Sequence, residues 1–233
     1  APGPVFHPTH DGYFVLPDRP YLDFHENEIQ VVTIENREYL SAFLQNLYNQ
    51  SQGIEGNIIL SEGEKILPLS KAAEIVWNPF SIDINNKKIL GKLFQELKNI
   101  SIEDQYTEIC ELNSKIVQYL DDLNLKIPYP IQFHLELDVL DIYKVYGVQL
   151  DTAGIGMFER LLQYVKILKL LCGVQLLVFV NVKNYLSEIQ VKELYKTAFY
   201  YKMNLLLVEA HQGKSLECEK NQLIDEDLCF IHY

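Results

Sequence analysis

The chain has 233 residues, 48% of them hydrophobic and 22% charged, which supplies a packed core and excludes wholesale disorder. Its formal net charge of −12 excludes the general basic excess typical of nucleic-acid binders. Any contact with DNA would therefore depend on a local lysine patch, because DNA responds to the field near it and not to the summed charge.

Residues 1–20 are proline-rich and without periodicity, and are expected to form an extended arm. The His7-x-x-His10 pair in this arm has metal-ligand spacing but no further ligand nearby, so a solvated tail is the simpler reading. Glu28–Ile34 reads as a strand. Glu35–Ser51 sets Tyr39, Phe43 and Leu47 at i, i+4 spacing beside Leu40 and Leu44, an amphipathic helix. Asn57–Leu60 and Lys65–Leu67 flank Gly63 as a hairpin. Asn78-Pro79 interrupts the pattern, Ser81–Ile84 alternates as a strand does, and Asn85-Asn86 offers a cap to a following helix.

From about Asn86 to Leu171 the period is helical, with helices expected at Lys87–Lys98, Ile102–Leu123, Leu135–Tyr146 and Ile155–Leu171. Pro128 and Pro130 separate the second from the third, and Gly147 stands where a helix C-cap belongs. Leu176–Val180 and Leu205–Val208 are apolar runs flanking a helix that opens on the capping box Ser187-Glu188-Ile189-Gln190. That is the strand–helix–strand pattern of a parallel sheet. Leu228–His232 reads as the last strand. The expected fold class is α/β: a head with a mainly parallel sheet, built from residues 1–85 and 173–233, and an inserted α-helical leg, residues 86–172.

The chemistry of a nucleotide enzyme is largely missing. A phosphate loop needs Gly-x-x-x-x-Gly-Lys-[Ser/Thr] between a strand and a helix. Gly213-Lys214-Ser215 supplies only its end; Val208 stands where the first glycine belongs, and no apolar helix follows. Asn181 follows the first apolar strand, where a magnesium-binding carboxylate would be needed. Glu209 ends the second and points to the crevice beyond the carboxyl ends of parallel strands, although a hydrogen-bonded edge residue is the simpler reading. No catalytic residue is assigned.

Carboxylates offer more. Glu136, Asp138 and Asp141 lie together in Leu135–Asp141, after Asp121-Asp122, and oxygen donors from two segments suit calcium. An acidic solvated face explains them equally well. Cys110, Cys172, Cys218 and Cys229 form no C-x-x-C pair, against a zinc knuckle. With no export-signal pattern and apolar runs far shorter than the roughly 20 residues of a membrane span, a reduced, cytoplasmic protein is expected.

In order along the chain, these stretches resemble one family. Tyr146–Thr152 (YGVQLDT), Phe158-Glu159, Leu176–Asn181 (LLVFVN), Tyr185-Leu186-Ser187, Leu205–Glu209 (LLLVE), Leu223–Asp227 (LIDED) and Phe80–Asn86 (FSIDINN) before Ile89-Leu90 are similar to motifs of the accessory spacer-acquisition protein of type II-A CRISPR systems, the "Csn-two" family. The resemblance implies an α/β head related to nucleotide-binding (P-loop NTPase-like) folds, degenerate in its phosphate chemistry, with a helical leg. It implies a homotetrameric ring that binds calcium and takes double-stranded DNA ends through a lysine-lined hole, without known catalysis. The implied partners are the CRISPR integrase proteins and the type II effector nuclease. Candidate DNA contacts are Lys87, Lys88, Lys92, Lys183, Lys192 and Lys196; candidate metal ligands are Glu136, Asp138 and Asp141. The family's dense acidic run between the second and third leg helices is replaced here by Asn124–Pro130 (NLKIPYP). The alternatives carried forward are a nucleotide-dependent enzyme with an atypical site and a protein–protein scaffold of the adaptation complex.

Overall fold

Two sheets and a set of helices carry the chain in the computed structural model, which describes residues 12–15, 21–63 and 65–232. The chain divides into two compact units, residues 1–82 with 154–233, and residues 83–153.

In the first unit, the smaller sheet is antiparallel. Strand β1 (Gly12–Val15) pairs with β2 (Tyr21–Phe24) and β4 (Ile59–Glu62), and β4 pairs with β5 (Lys65–Leu67). The larger sheet has the order β10 (Phe230–His232), β9 (Glu219–Ile224), β3 (Ile29–Ile34), β8 (Asn204–Glu209), β7 (Leu176–Val180), β6 (Ala73–Val76). Its strands are parallel except β10, which lies antiparallel to β9. Every residue of β3 and β7 is buried, which is the reason these strands read as unbroken runs: helices cover both faces of a parallel sheet.

One face packs against helix α1 (Arg37–Ser51) and the short α2 (Leu69–Ala72). There Phe43 and Leu47 of α1 join Val32, Ile34, Leu176, Val178, Leu206, Val208 and Ile224 in one apolar cluster, which also takes Leu22, Phe24 and Leu60 from the smaller sheet. Each such side chain contributes about 1.5–3 kcal/mol on burial. Strand alternation sends Val31, Leu177, Phe179, Leu205 and Leu207 to the opposite face. That face belongs to α6 (Met157–Leu170) and α7 (Glu188–Tyr200), which pack together and bury Leu161, Val165, Leu168, Val191, Leu194 and Ala198. The capping box of α7 forms as expected, with Ser187 Oγ accepting from Gln190 N and Gln190 Oε1 accepting from Ser187 N.

The second unit holds α3 (Lys87–Glu103), α4 (Tyr106–Asn124) and α5 (Val139–Val145). Asn86 caps α3 by accepting from Ile89 N. Phe94 meets Tyr143 at 5.8 Å between ring centroids, and the Tyr143 hydroxyl lies 2.7 Å from Ser101 Oγ. The root of the unit is fastened by Asn85, whose side chain accepts from Leu150 N at 2.9 Å and donates to Leu150 O at 3.0 Å.

Several elements differ from the sequence reading. The break between the first two leg helices falls at Asp104-Gln105 and not near residue 100, because the helical period runs through it unchanged. The expected helix Leu135–Tyr146 begins only at Val139, with Asp138 as its N-cap. Ser81–Ile84 is no strand; Pro79–Ser81 forms a 3-10 turn. Part of the expected arm is the strand β1, whereas His7 and His10 lie outside the described residues. Strand β6 escapes a sequence reading because it is short and follows a helical turn, and β9 because its sequence, EKNQLI, is polar. Finally, α6 belongs to the α/β unit and not to the leg, so the second unit ends at Ala153. A helical period alone does not distinguish a helix that covers a sheet from one in a helical insertion.

Candidate functional site

The crossover from β8 to β9, residues 210–218, contains no helix. It must return the chain to the start of a parallel strand on the far side of β3, and on the way Lys214 meets Glu188 in the first turn of α7. Glu209, at the carboxyl end of β8, is 4% exposed. Its Oε1 accepts from Lys183 N at 3.2 Å. Burial pushes its pKa up to about 7, against the opposing effect of the Lys183 N–H and ammonium, and the Glu219 charge adds to the rise.

Glu219 opens β9, four register positions from the level of Glu209. Its side chain is fully buried and is satisfied on every side. Lys183 Nζ lies 2.8 Å from Oε1 and donates to Oε2 at 2.9 Å, Tyr195 Oη donates to Oε1 at 2.6 Å, and Leu216 N donates to Oε2 at 3.1 Å. Burial and the Glu219 charge hold the Tyr195 hydroxyl well above its ordinary pKa. Lys183 thus joins the two carboxylates, with its backbone N–H on one and its ammonium on the other. It was a sequence candidate for DNA, but its ammonium is occupied inside the fold, its side chain only 16% exposed.

The residues tested for phosphate chemistry have other tasks. Asn181 adopts the left-handed conformation at φ 54° and ψ 33°, which asparagine tolerates better than most residues. Its Oδ1 accepts from Ala210 N at 2.8 Å, tying the end of β7 to the chain leaving β8. Lys214 Nζ donates to Glu188 Oε2 at 2.7 Å, while Lys192 Nζ donates to Glu188 Oε1, also at 2.7 Å. These two lysines hold the Glu188 carboxyl down at about 2. Ser215 Oγ accepts from Asn221 Nδ2 at 2.7 Å. A pocket of about 240 Å³ at this edge is lined by Lys183, Glu188, Glu209, His211 and Lys214, and the one carboxylate it takes from the first turn of α7, Glu188, already holds both Lys192 and Lys214.

The remaining lysine candidates lie in two places. Lys87, Lys88 and Lys92 sit on the first turns of α3, exposed. Lys192 and Lys196 lie one turn apart on the outer side of α7, and Lys196 is 3.8 Å from Glu193. The structure therefore groups the first three on one helix and the last two on another. On either side of α7 runs a groove. One, of about 590 Å³, is lined by Lys192, Lys196, Phe199 and Lys220; the other, of about 470 Å³ against α6, by Lys166, Lys196, Tyr200 and Tyr201. Lys166 and the tyrosines were not singled out from the sequence; their signal was an exposed lysine and two aromatics at the ends of helices that pack together.

The calcium candidates do not converge. Asp138 caps α5 by accepting from Leu140 N at 3.0 Å and lies 3.9 Å from Lys98, and Asp141 accepts from Lys144 Nζ at 2.9 Å. Asp141 in turn holds the Lys144 ammonium above its ordinary pKa. Glu136 is exposed in the irregular segment before α5. Among the described residues, no three His, Cys, Asp or Glu side chains gather so as to hold a metal ion. The single chain therefore does not fit a calcium site at these residues. Among the described residues, too, no helix is long and apolar enough to cross a membrane.

The fold and this site define an α/β protein with a mostly parallel sheet and a separate helical unit, in which the positions of nucleotide chemistry are taken by internal hydrogen bonds and ion pairs. A family model described as CRISPR-associated protein (Cas_Csn2) matches residues 50–228, and the chain belongs to that family, the Csn2 proteins of type II-A CRISPR systems. It is similar to a CRISPR-associated protein Csn2 of Streptococcus agalactiae, 25% identical over 209 residues that make up 86% of this chain and 89% of the relative. The CRISPR-associated protein Csn2 of Enterococcus faecalis is 23% identical over 141 residues, 58% of this chain and 62% of its own. In fold it resembles the crystal structure of Stu0660 of Streptococcus thermophilus, with a TM-score of 0.58 at 13% identity, covering 95% of this chain and 76% of the other.

Proposed function

We propose that this protein is a non-enzymatic, double-stranded-DNA-binding component of CRISPR spacer acquisition, acting in the cytoplasm as a homotetrameric ring that loads onto DNA ends. The observation that carries the reading is the fate of the nucleotide-site positions in a chain of this family. Asn181, Lys214 and Ser215 are engaged with Ala210, Glu188 and Asn221, and Glu209 is buried against Lys183, so a sheet of nucleotide-enzyme type serves as rigid scaffold. The same engagement weighs against the nucleotide-dependent enzyme. Lysines on α3 and α7 are the proposed phosphate contacts, which position DNA without reading its sequence. The proposed partners are the CRISPR integrase proteins and the type II effector nuclease. Calcium is proposed in one form only, as an ion that draws carboxylates from more than one subunit, since the described residues of one chain gather no ligand set.

The test compares linear with covalently closed circular duplex in gel shifts, with calcium and with chelator, beside sedimentation of the free protein. A ring that loads at ends shifts linear DNA and leaves the closed circle free, and the protein sediments as a tetramer. Equal binding of both forms by a monomer overturns the reading.

A further inference from the structure

Along the outer side of α7, Lys192, Lys196 and Tyr200 follow one another at i, i+4 spacing, and so share one face. All three are open to solvent: the side chains of Lys192 and Lys196 are 55% and 75% exposed, and Tyr200 is 79% exposed. Tyr200 and Tyr201 meet edge to face, with ring centroids 4.9 Å apart and planes at 87°. In that geometry each ring keeps at least one face that the other does not cover. The pair closes the end of the groove of about 470 Å³ between α6 and α7, whose size falls within the range of small-molecule sites. Lys166 stands exposed on the α6 wall and Lys196 on the α7 wall, and against these two ammonium groups the groove sets the carboxylate of Glu193.

Exposed aromatic faces beside paired lysines suit a ligand that is both anionic and aromatic along its length. A base inside an intact duplex already has both faces stacked and cannot use such a ring; an unpaired nucleotide can, with its phosphates on the lysines. We infer that the α6–α7 groove is a site for unpaired nucleotides at a DNA end, stacked on Tyr200 and held through phosphate by Lys166 and Lys196. This rests on the DNA-binding reading above and gives it a further substrate class, an end that carries a single-stranded overhang. The site is sequence-tolerant, because every base has a face to stack.

The experiment measures binding of the full-length protein to two fluorescent linear duplexes, one blunt and one with a short single-stranded overhang. The wild type prefers the overhang by about tenfold, the range of one stacked base. Tyr200→Ala abolishes the preference and leaves the affinity for blunt duplex unchanged, whereas Tyr200→Phe keeps it, since stacking needs the ring and not the hydroxyl. Tyr200 lies on the surface, so neither variant disturbs the core. Equal wild-type affinity for both duplexes, or a preference that survives in Tyr200→Ala, overturns the inference and leaves the duplex-binding reading standing. Failure of the wild type to bind either duplex overturns the DNA reading as well.

Discussion

Lys183 is the residue on which the interior of the α/β unit turns. Its ammonium neutralises a carboxylate with no exposure of its own, and its backbone N–H meets a second. Removing one member of a buried pair leaves the other uncompensated, so Lys183→Met is expected to cost about 3–5 kcal/mol, seen as a lower urea midpoint. Lys183→Met combined with Glu219→Gln recovers much of that loss, because the uncompensated charge leaves while an amide oxygen remains to accept from Tyr195 or Leu216. A double variant no more stable than the single one would mean that Glu219 does not depend on Lys183. Glu209 adds a pH dependence of defined sign. Burial raises its pKa in the folded protein to about 7. The folded chain then keeps a proton that the unfolded chain releases above about 4.3. The contribution to stability is full below that value and is lost as pH rises to about 7, and amounts to about 4 kcal/mol, of which about 3 falls above pH 5. Glu209→Gln removes the titration. Urea unfolding at pH 5 and pH 8 should show the wild type losing about 3 kcal/mol more than the variant; parallel losses would assign the slope to another group.

At the level of elements, the legible parts of the sequence are those where one physical signal dominates. Strands β7 and β8 announce themselves because both faces are buried, and α7 because its capping box satisfies two otherwise unpaired N–H groups. Ser187→Ala should cost about 1 kcal/mol in thermal or urea unfolding, with the first amides of α7 exchanging faster. The illegible parts carry a mixed signal. Strand β9 buries Asn221 and Gln222, so its sequence lacks an apolar run, and Glu219 cannot be recognised as the centre of a buried cluster without the crossover that covers it. The groove between α6 and α7 is hidden for a different reason: α6 reads as a leg helix until its packing against α7 is known. Asn85 reads as a helix cap, a task that Asn86 performs, while Asn85 clasps Leu150 through both its amide atoms. Asn85→Ala removes two partly buried hydrogen bonds, about 2 kcal/mol together. Faster exchange of the Leu150 amide should accompany it; an unchanged rate would show that the clasp does not hold residue 150 in place.

For the whole molecule, the governing quantity is the net charge of −12 on each chain. Four copies would carry about four times that, and such an assembly repels DNA except where lysines outnumber carboxylates locally. Binding of this kind is driven by release of the counterions condensed on DNA, so the logarithm of affinity falls linearly with the logarithm of salt, by about 0.9 for each phosphate neutralised. Lys87 and Lys92, exposed on the first turns of α3, are the phosphate contacts proposed above. The variant Lys87→Ala/Lys92→Ala should weaken linear duplex uniformly across sequences and make the salt slope shallower by about one for each phosphate left without its lysine. Fluorescence anisotropy over a potassium chloride series reads both effects at once. A wild-type slope reproduced by the variant would exclude α3 from the interface. An affinity that resisted salt would instead mean base-directed or apolar recognition, for which a chain with three arginines among its 20 basic residues is poorly equipped.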